Sequence, residues 1–486
     1  MIRSTSLTLL VTASCTMLGA CSNTTNYYGA ESVSRAPAAS AAEPAARKKA
    51  KNVILFIGDG MGISTITAAR IYAGQKRGET GEENVLSFEN FDNVALVKTY
   101  NTNAQVPDSA GTATAMHSGQ KTKIGVLGVG PGVTRGQCDT ALANPLPLLG
   151  EEVKKRGLAL GIVTTARLTH ATPASVYSRS ADRNWEFYLP DDQTNSGCKD
   201  IATQLIESDW DIALGGGRRG FYGSEAGGRR SGAAEDLVAQ WRARSSGAYV
   251  ETAQALQSAV ASGSQKPVLG LFSSSHMTYV ADLKEGSQEP SLTDMTAAAL
   301  TKLKSDPDGF YLMVESGRID HAHHDGRAGY ALEETVEFAR AIQYAIDNTD
   351  PEETLIMVTA DHSHVFTIAG YPKRGNDILG LVVPPSGDIS NTEEPLPAND
   401  GKPYTTLGYG NGPGSIAGKD PRPDPETGVS ARQQSTIPLG SETHGGEDVA
   451  LYAQGPGADR VKGVIEQNLI YDFIRAAFGW GDDPAE

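Results

Sequence analysis

Lys51-Asn52-Val53-Ile54-Leu55-Phe56-Ile57 is followed at once by Gly58-Asp59-Gly60-Met61-Gly62, and this stretch decides the fold. The apolar run is too short for a helix, rich in β-branched residues and closed by glycine. Such runs suit strands buried on both faces. Runs of the same kind recur at Leu158–Thr164, Trp210–Leu214, Val268–Phe272, Phe310–Glu315, Leu355–Thr359 and Val449–Ala453. Helical patterns lie between several of them, at Leu292–Lys304, Ala328–Asn348 and Val464–Ala477. This alternation predicts a doubly wound, three-layer α/β/α fold with a mainly parallel central sheet. Reactive residues then belong in loops at the carboxyl ends of the strands. Pro384–Gly440 breaks the rhythm, with ten of the 25 prolines and nine glycines. It reads as an excursion over the surface, not a packed βα unit.

Composition narrows the function classes. The 486 residues carry 42 Lys and Arg against 58 Asp and Glu, a net charge of −16. A nucleic-acid partner needs a basic footprint and is excluded on that ground. With 39% hydrophobic and 21% charged residues the chain is globular, neither disordered nor a multi-span membrane protein. At about 150 residues per domain three domains would fit, but α/β enzymes of this length also fold as one.

The first residues have the layout of an export signal. Leu7–Leu18 is apolar but short and laced with Thr and Ser, whereas a span needs about 20 apolar residues. Leu18-Gly19-Ala20-Cys21 resembles the lipobox of bacterial lipoproteins, so residues 1–20 would be removed and Cys21 acylated. Ordinary cleavage elsewhere, with Cys21 discarded, is the alternative. Residues 21–50 are rich in Ser, Ala and Pro and read as a flexible tether. Ser22 after the lipid cysteine resembles the signal for the outer membrane, which puts the protein in the cell envelope, periplasmic or outer-membrane anchored. Cys15 goes with the signal, leaving Cys138 and Cys198. In an oxidising compartment that pair reads as one disulfide, with two free thiols as the alternative.

Five segments place polar residues directly after apolar runs. Asp59 between glycines suits a metal, or caps the next helix. Ser109, in Val106-Pro107-Asp108-Ser109-Ala110-Gly111, sits where a helix begins; its hydroxyl suits an anionic group, and an Asp/Ser N-cap is the plainer reading. His170-Ala171-Thr172-Pro173 is followed by Arg183, whose fork could grip a phosphate. Glu315-Ser316-Gly317-Arg318-Ile319-Asp320-His321-Ala322-His323-His324 packs three of the nine histidines and two carboxylates into ten residues. These groups cannot all be buried without a partner, and Asp with His fits a zinc shell. The fifth is the pair Asp361-His362-Ser363-His364 and Glu442-Thr443-His444. The His/Asp ligands imply two zinc-like ions, while Glu315, Asp59 and Thr172 form an oxygen-only set that suits magnesium. Two metals beside a serine and an arginine point to phosphoryl transfer. Gly215-Gly216-Gly217-Arg218-Arg219 reads as a strand-ending loop.

GDGMG, VPDSAGTATA, HATPA with DRNW, VESGRIDHAHH, VTADHSHVF and ETHGGEDVA, in that order, resemble the alkaline phosphatases. The resemblance runs from about Lys51 to Ala477 within a catalytic domain of residues 51–486. It implies Ser109 as the nucleophile that becomes phosphoserine and Arg183 as the phosphate clamp, with Asp108 beside them. It implies Asp320, His324 and His444 at one zinc, and Asp59, Asp361 and His362 at a second. Asp59, Thr172 and Glu315 would hold one magnesium, with His170 and His321 close by. His at 170 and 321 is similar to the animal type. The animal calcium site uses a Glu after a Phe, and Ser273 follows Phe272 here, so no calcium site carries over. Pro384–Gly440 takes the place of the family's crown insertion, which implies a homodimer. The substrates implied are small phosphate monoesters, for phosphate scavenging. A phosphodiesterase of the same superfamily, or a binding lipoprotein without catalysis, are the rival readings; no cysteine has the Cys-x-Pro-x-Arg context of a sulfatase.

Overall fold

The computed structural model describes residues 48–387 and 394–481, so the signal, Cys21 and most of the proposed tether lie outside the described residues. Strands β1 (Asn52–Gly58), β2 (Asn93–Lys98), β3 (Ala159–Arg167), β4 (Ile212–Gly216), β5 (Ala248–Val250), β6 (Val268–Leu271), β7 (Phe310–Ser316) and β8 (Thr354–Ala360) come first. Five short strands follow: β9 (Ser363–His364), β10 (Phe366–Ile368), β11 (Leu407–Gly412), β12 (Ser435–Pro438) and β13 (His444–Gly445). Then β14 (Val449–Gln454) and β15 (Gly463–Glu466) close the chain's strands. Ten of them make one sheet, ordered β15-β2-β14-β8-β1-β7-β3-β4-β6-β5.

The opening run behaves as its composition dictates. β1 lies between β7 and β8, parallel to both, and Val53 through Ile57 are wholly buried. Opposite faces meet different helices. Phe56 packs edge-on at 5.9 Å against Phe338, on the helix Ala328–Asp347. Tyr311 pairs with Val53, three residues from Phe56 and therefore on the other face. There it meets His117 of the helix Ser109–Ser118, whose Nε2 lies 2.9 Å from the Tyr311 hydroxyl. Helices on both faces make the expected three layers, and each fully buried large side chain contributes about 1.5–3 kcal/mol.

Three expectations change. Val464–Ala477 is not one helix: Val464 and Ile465 pair with the outer edge of β2, and the helix covers only Leu469–Phe478. An unpaired strand edge offers β-branched residues a ladder that the helical period cannot supply. The sheet is mainly parallel as expected, with β14 alone antiparallel to its neighbours β2 and β8. The Pro/Gly-rich excursion is irregular in most of its length, but β11 and β12 join β10 in a three-stranded sheet. That sheet buries Leu407 and Tyr409, so the excursion also forms part of the support of the site. At the other end Ala50, placed in the tether from sequence, is buried, and its amide donates to the Ala477 carbonyl at 2.7 Å.

Cys138 and Cys198 form a disulfide, with Cα atoms 5.9 Å apart. It backs a small apolar cluster of Val126, Val129, Val133, Ala141, Ala181 and Trp185. The bridge closes a loop of sequence separation 60. Replacing both cysteines with serine is expected to cost about 2–4 kcal/mol, chiefly by freeing the unfolded chain. The check is the urea midpoint of the two proteins without reductant; an unchanged midpoint contradicts it.

Candidate active site

The parallel register carries three carboxylates to one end of the sheet. Ile57 pairs with Glu315 and Gly58 with Ala360, so Asp59, Glu315 and Asp361 emerge together from the carboxyl ends of β1, β7 and β8. All three are fully buried. Gly60 turns the chain away at φ 69°, and a Cβ there would stand 2.3 Å from His364 Nε2. Only glycine fits that turn. Its amide donates to Asp361 Oδ1 at 3.0 Å.

Asp108 is the N-cap of the Ser109–Ser118 helix, accepting from the Gly111 amide at 3.1 Å. The plainer sequence reading therefore holds for Asp108. The same carboxylate accepts from the Gly125 amide at 3.0 Å and from Arg183 Nη1 at 3.1 Å. Against the burial that would raise it, Arg183 and these amides keep Asp108 below the usual carboxylate range. Arg183 is thereby aimed beside Ser109, at the positive end of a helix.

Ser109 Oγ lies 3.2 Å from His362 Nε2 and 3.5 Å from Asp59 Oδ1. This is not a serine–histidine–aspartate relay, which needs the carboxylate on the far ring nitrogen. Here Asp59 Oδ1 and Asp361 Oδ2 both stand 3.4 Å from the same Nε2, while Nδ1 faces the Ser363 carbonyl at 3.3 Å. One hydroxyl, one imidazole lone pair and two carboxylates converge as ligands around a cation would.

A second convergence lies alongside. His444 Nδ1 donates to the Pro107 carbonyl at 2.8 Å, and His324 Nδ1 to the Glu442 carbonyl at 2.6 Å. With those protons placed, both Nε2 atoms are lone pairs. Yet they stand 3.1 Å apart, and 3.4 and 3.3 Å from Asp320 Oδ1. Lone pairs face one another this closely only across a positive charge. The backbone carbonyls fix the ring orientation, as partners of metal-bound histidine do.

The third set contains oxygen alone. Asp59 Oδ2, Thr172 Oγ1 and Glu315 Oε1 are buried without a hydrogen-bond partner. Three orphaned acceptors or hydroxyls in one place suit a hard cation. Ligand atoms of Asp59, Asp361 and His362 lie within 4.8 Å of one another, as do those of Asp59, His170 and Glu315. The residues therefore fit bound metal.

The alkaline phosphatase family model matches residues 50–479. The chain belongs to the alkaline phosphatase family. It is 44% identical over 449 residues to the tissue-nonspecific alkaline phosphatase of Gallus gallus, covering 87% of this chain and 83% of that one. An alkaline phosphatase of Gadus morhua is 43% identical, with 87% and 91% covered. Among solved structures, that of the Thermus thermophilus alkaline phosphatase aligns with a TM-score of 0.65 at 25% identity, over 89% of this chain and 92% of that one. The alkaline phosphatase of the Antarctic bacterium TAB5 shares the fold, with a TM-score of 0.63 at 23% identity over 90% and 100%. The protein is a metal-dependent hydrolase of phosphate monoesters.

Within the phosphatase site, burial and crowded like charge push Asp59 and Asp361 above the carboxylate range, and burial lifts Glu315 to about 7. Burial drives His362 far down, so its imidazole is neutral and free to ligate. Two residues have places in the site that the sequence reading did not assign, His364 although it stands in a quoted segment. His364 is buried between Asp320 Oδ1, at 2.9 Å, and Glu442 Oε2, at 2.5 Å. Despite its burial these carboxylates raise it to about 9. With both nitrogens facing carboxylates, His364 orients Asp320. His276 is the other, packed 4.0 Å from His321 and 5.5 Å from His170. Nothing local marks it, since Ser-Ser-Ser-His-Met is an ordinary loop. His323, in the dense motif, is structural: it bridges Thr65 Oγ1 at 3.0 Å and Tyr409 at 2.8 Å.

Proposed function

We propose that Ser109 attacks the phosphorus of a phosphate monoester and becomes a phosphoserine, which water then opens. The Ser109 Oγ–P bond forms as the ester P–O bond breaks, releasing the alcohol; hydrolysis returns the hydroxyl and releases phosphate. Arg183, braced by Asp108, grips two non-bridging oxygens, and the helix N-terminus adds amide dipoles. Asp320, His324 and His444 would hold one zinc ion, Asp59, Asp361 and His362 a second, and Asp59, Thr172 and Glu315 a magnesium ion. Bound, such ions ease ionisation of the serine and offset charge on the leaving oxygen. The observation that carries this reading is the meeting of Ser109 Oγ with His362 Nε2 and two carboxylates at one point. A chromogenic phosphate monoester should turn over far faster than the matched diester. The reverse preference would select the diesterase reading.

His170 and His321 set how firmly magnesium and product are held. Burial keeps both neutral, so neither adds charge beside the oxygen-only set. The His170→Asp, His321→Lys double variant is expected to bind magnesium and phosphate more tightly and turn over more slowly at high pH. Unchanged phosphate inhibition would show that these histidines do not act there.

The envelope role rests on the sequence alone. We read the protein as an exported, lipid-anchored homodimer that scavenges phosphate. Among the described residues no helix is long and apolar enough to cross a membrane. Cys21→Ala should therefore release the enzyme into the soluble fraction; equal membrane retention would exclude the lipid as anchor.

A further inference from the structure

β7, β3, β4 and β6 are neighbours in the sheet, and the loops leaving their carboxyl ends line the flank of the site next to Arg183. Arg167 ends β3, Arg219 follows β4, His276 follows β6 and Arg318 follows β7. The loops after β4 and β6 are joined: the Gly217 and Arg218 amides donate to the Ser273 carbonyl at 3.1 and 3.0 Å, and the Arg219 amide to Ser274 at 3.2 Å. Contacts then run unbroken to the phosphate clamp. Arg167 Nη1 donates to His276 Nε2. The His276 ring packs on His321 and His170, and His170 Nε2 accepts from Arg183 Nη2 at 3.1 Å.

This flank is rich in donors that have nothing to donate to. Because Arg167 donates to Nε2 of His276, the ring proton of that imidazole sits on Nδ1. His276 Nδ1 is buried without a partner, and so are the Nε atoms of Arg219 and Arg318. Arg318 is held flat on the Tyr279 ring, 3.5 Å from its centroid, which leaves its donor edge free. Glu186 pairs with Arg167. Among the described residues, no carboxylate pairs with Arg219 or Arg318. Burial and the neighbouring cations Arg229 and Arg167 push Arg219 below the usual guanidinium value. In a chain of net charge −16, two arginines outside any ion pair, attenuated by Glu186 near Arg219 and Glu334 near Arg318, leave a positive edge beside the phosphoryl site that favours anions.

We propose that this flank is a second anion subsite, which takes a second phosphoryl group carried by the leaving part of the substrate. The proposal rests on the phosphomonoesterase reading and names the substrates it favours: small bisphosphates. Guanidinium forks match phosphate oxygens in pairs, and His276 Nδ1 adds a further donor. The experiment compares butyl phosphate with butane-1,4-diol bisphosphate, identical but for the distal phosphate, on the metal-loaded enzyme at low salt. Wild type should show a kcat/KM for the bisphosphate about tenfold higher, the worth of one charge-assisted contact. Arg219→Gln and Arg318→Gln, singly and together, should cut that preference through KM while leaving butyl phosphate within about twofold. A wild-type preference of about two, the statistical value for two equivalent phosphates, would overturn the subsite. So would variants that lose both substrates equally, since that marks a structural role. A wild type inert toward both would remove the phosphomonoesterase reading itself, and the subsite with it.

Discussion

Ser109→Ala is expected to lower kcat/KM for any phosphate monoester by at least about a thousandfold, because the proposed covalent intermediate forms on its hydroxyl. The fold should survive. Asp108, not Ser109, caps the helix, and the lost hydroxyl contacts only groups of the site. Phosphate binding should persist too, since Asp108 still aims Arg183. Acid-quenched wild type mixed with inorganic phosphate should carry phosphate on the Ser109 peptide, and the variant on none. Label on another residue would sink the assignment.

Metal removal should be as severe. Chelation is expected to abolish activity, a loss of at least about a thousandfold, and zinc with magnesium should restore it. Restoration by calcium alone would count against the zinc sites. The stripped protein should also show a pH signature. Glu315 titrates near 7 when folded and near 4.5 when free, so the folded state holds that proton more tightly. Its contribution to stability is therefore present below about 4.5 and lost as pH rises through about 7. Asp59 and Asp361 act in the same direction. Asp320, which His324 and His364 hold low despite its burial, works oppositely and only in acid. Buried histidines held low, among them His170, His321 and His362, work the other way between pH 6 and pH 8, so the carboxylate signature is read as a difference. From pH 6 to pH 8, metal-free wild type should lose more melting temperature than metal-free Glu315→Gln; an equal change in the two proteins would contradict the raised Glu315.

The ligand-bearing motifs could be read directly because each lies at the end of an apolar run, and a buried parallel strand exposes its chemistry only there. Asp59, Glu315 and Asp361 are the plain case, each a carboxylate at or just past the carboxyl end of a buried strand. Strands that lack such a run were missed. β2 has one exposed face, and β15 borrows its order from β2, so neither carries a two-sided apolar signal.

The α/β class, the nature of the metal-binding groups and Cys138 with Cys198 as the candidate pair were legible in the sequence, because period, ligand chemistry and cysteine parity are local or countable; the fold then joined that pair. Only the tertiary structure decided which nitrogen faces which carboxylate. It made His364 a brace because Asp320 and Glu442 reach its two ends, from segments 44 and 78 residues away. It made His323 a packing residue because Thr65 and Tyr409 close on it. It likewise brought Arg219, His276 and Arg318 to one flank. A side chain's role depends on its distance to other charges, and those distances are set by how strands order themselves in the sheet, which no single segment encodes.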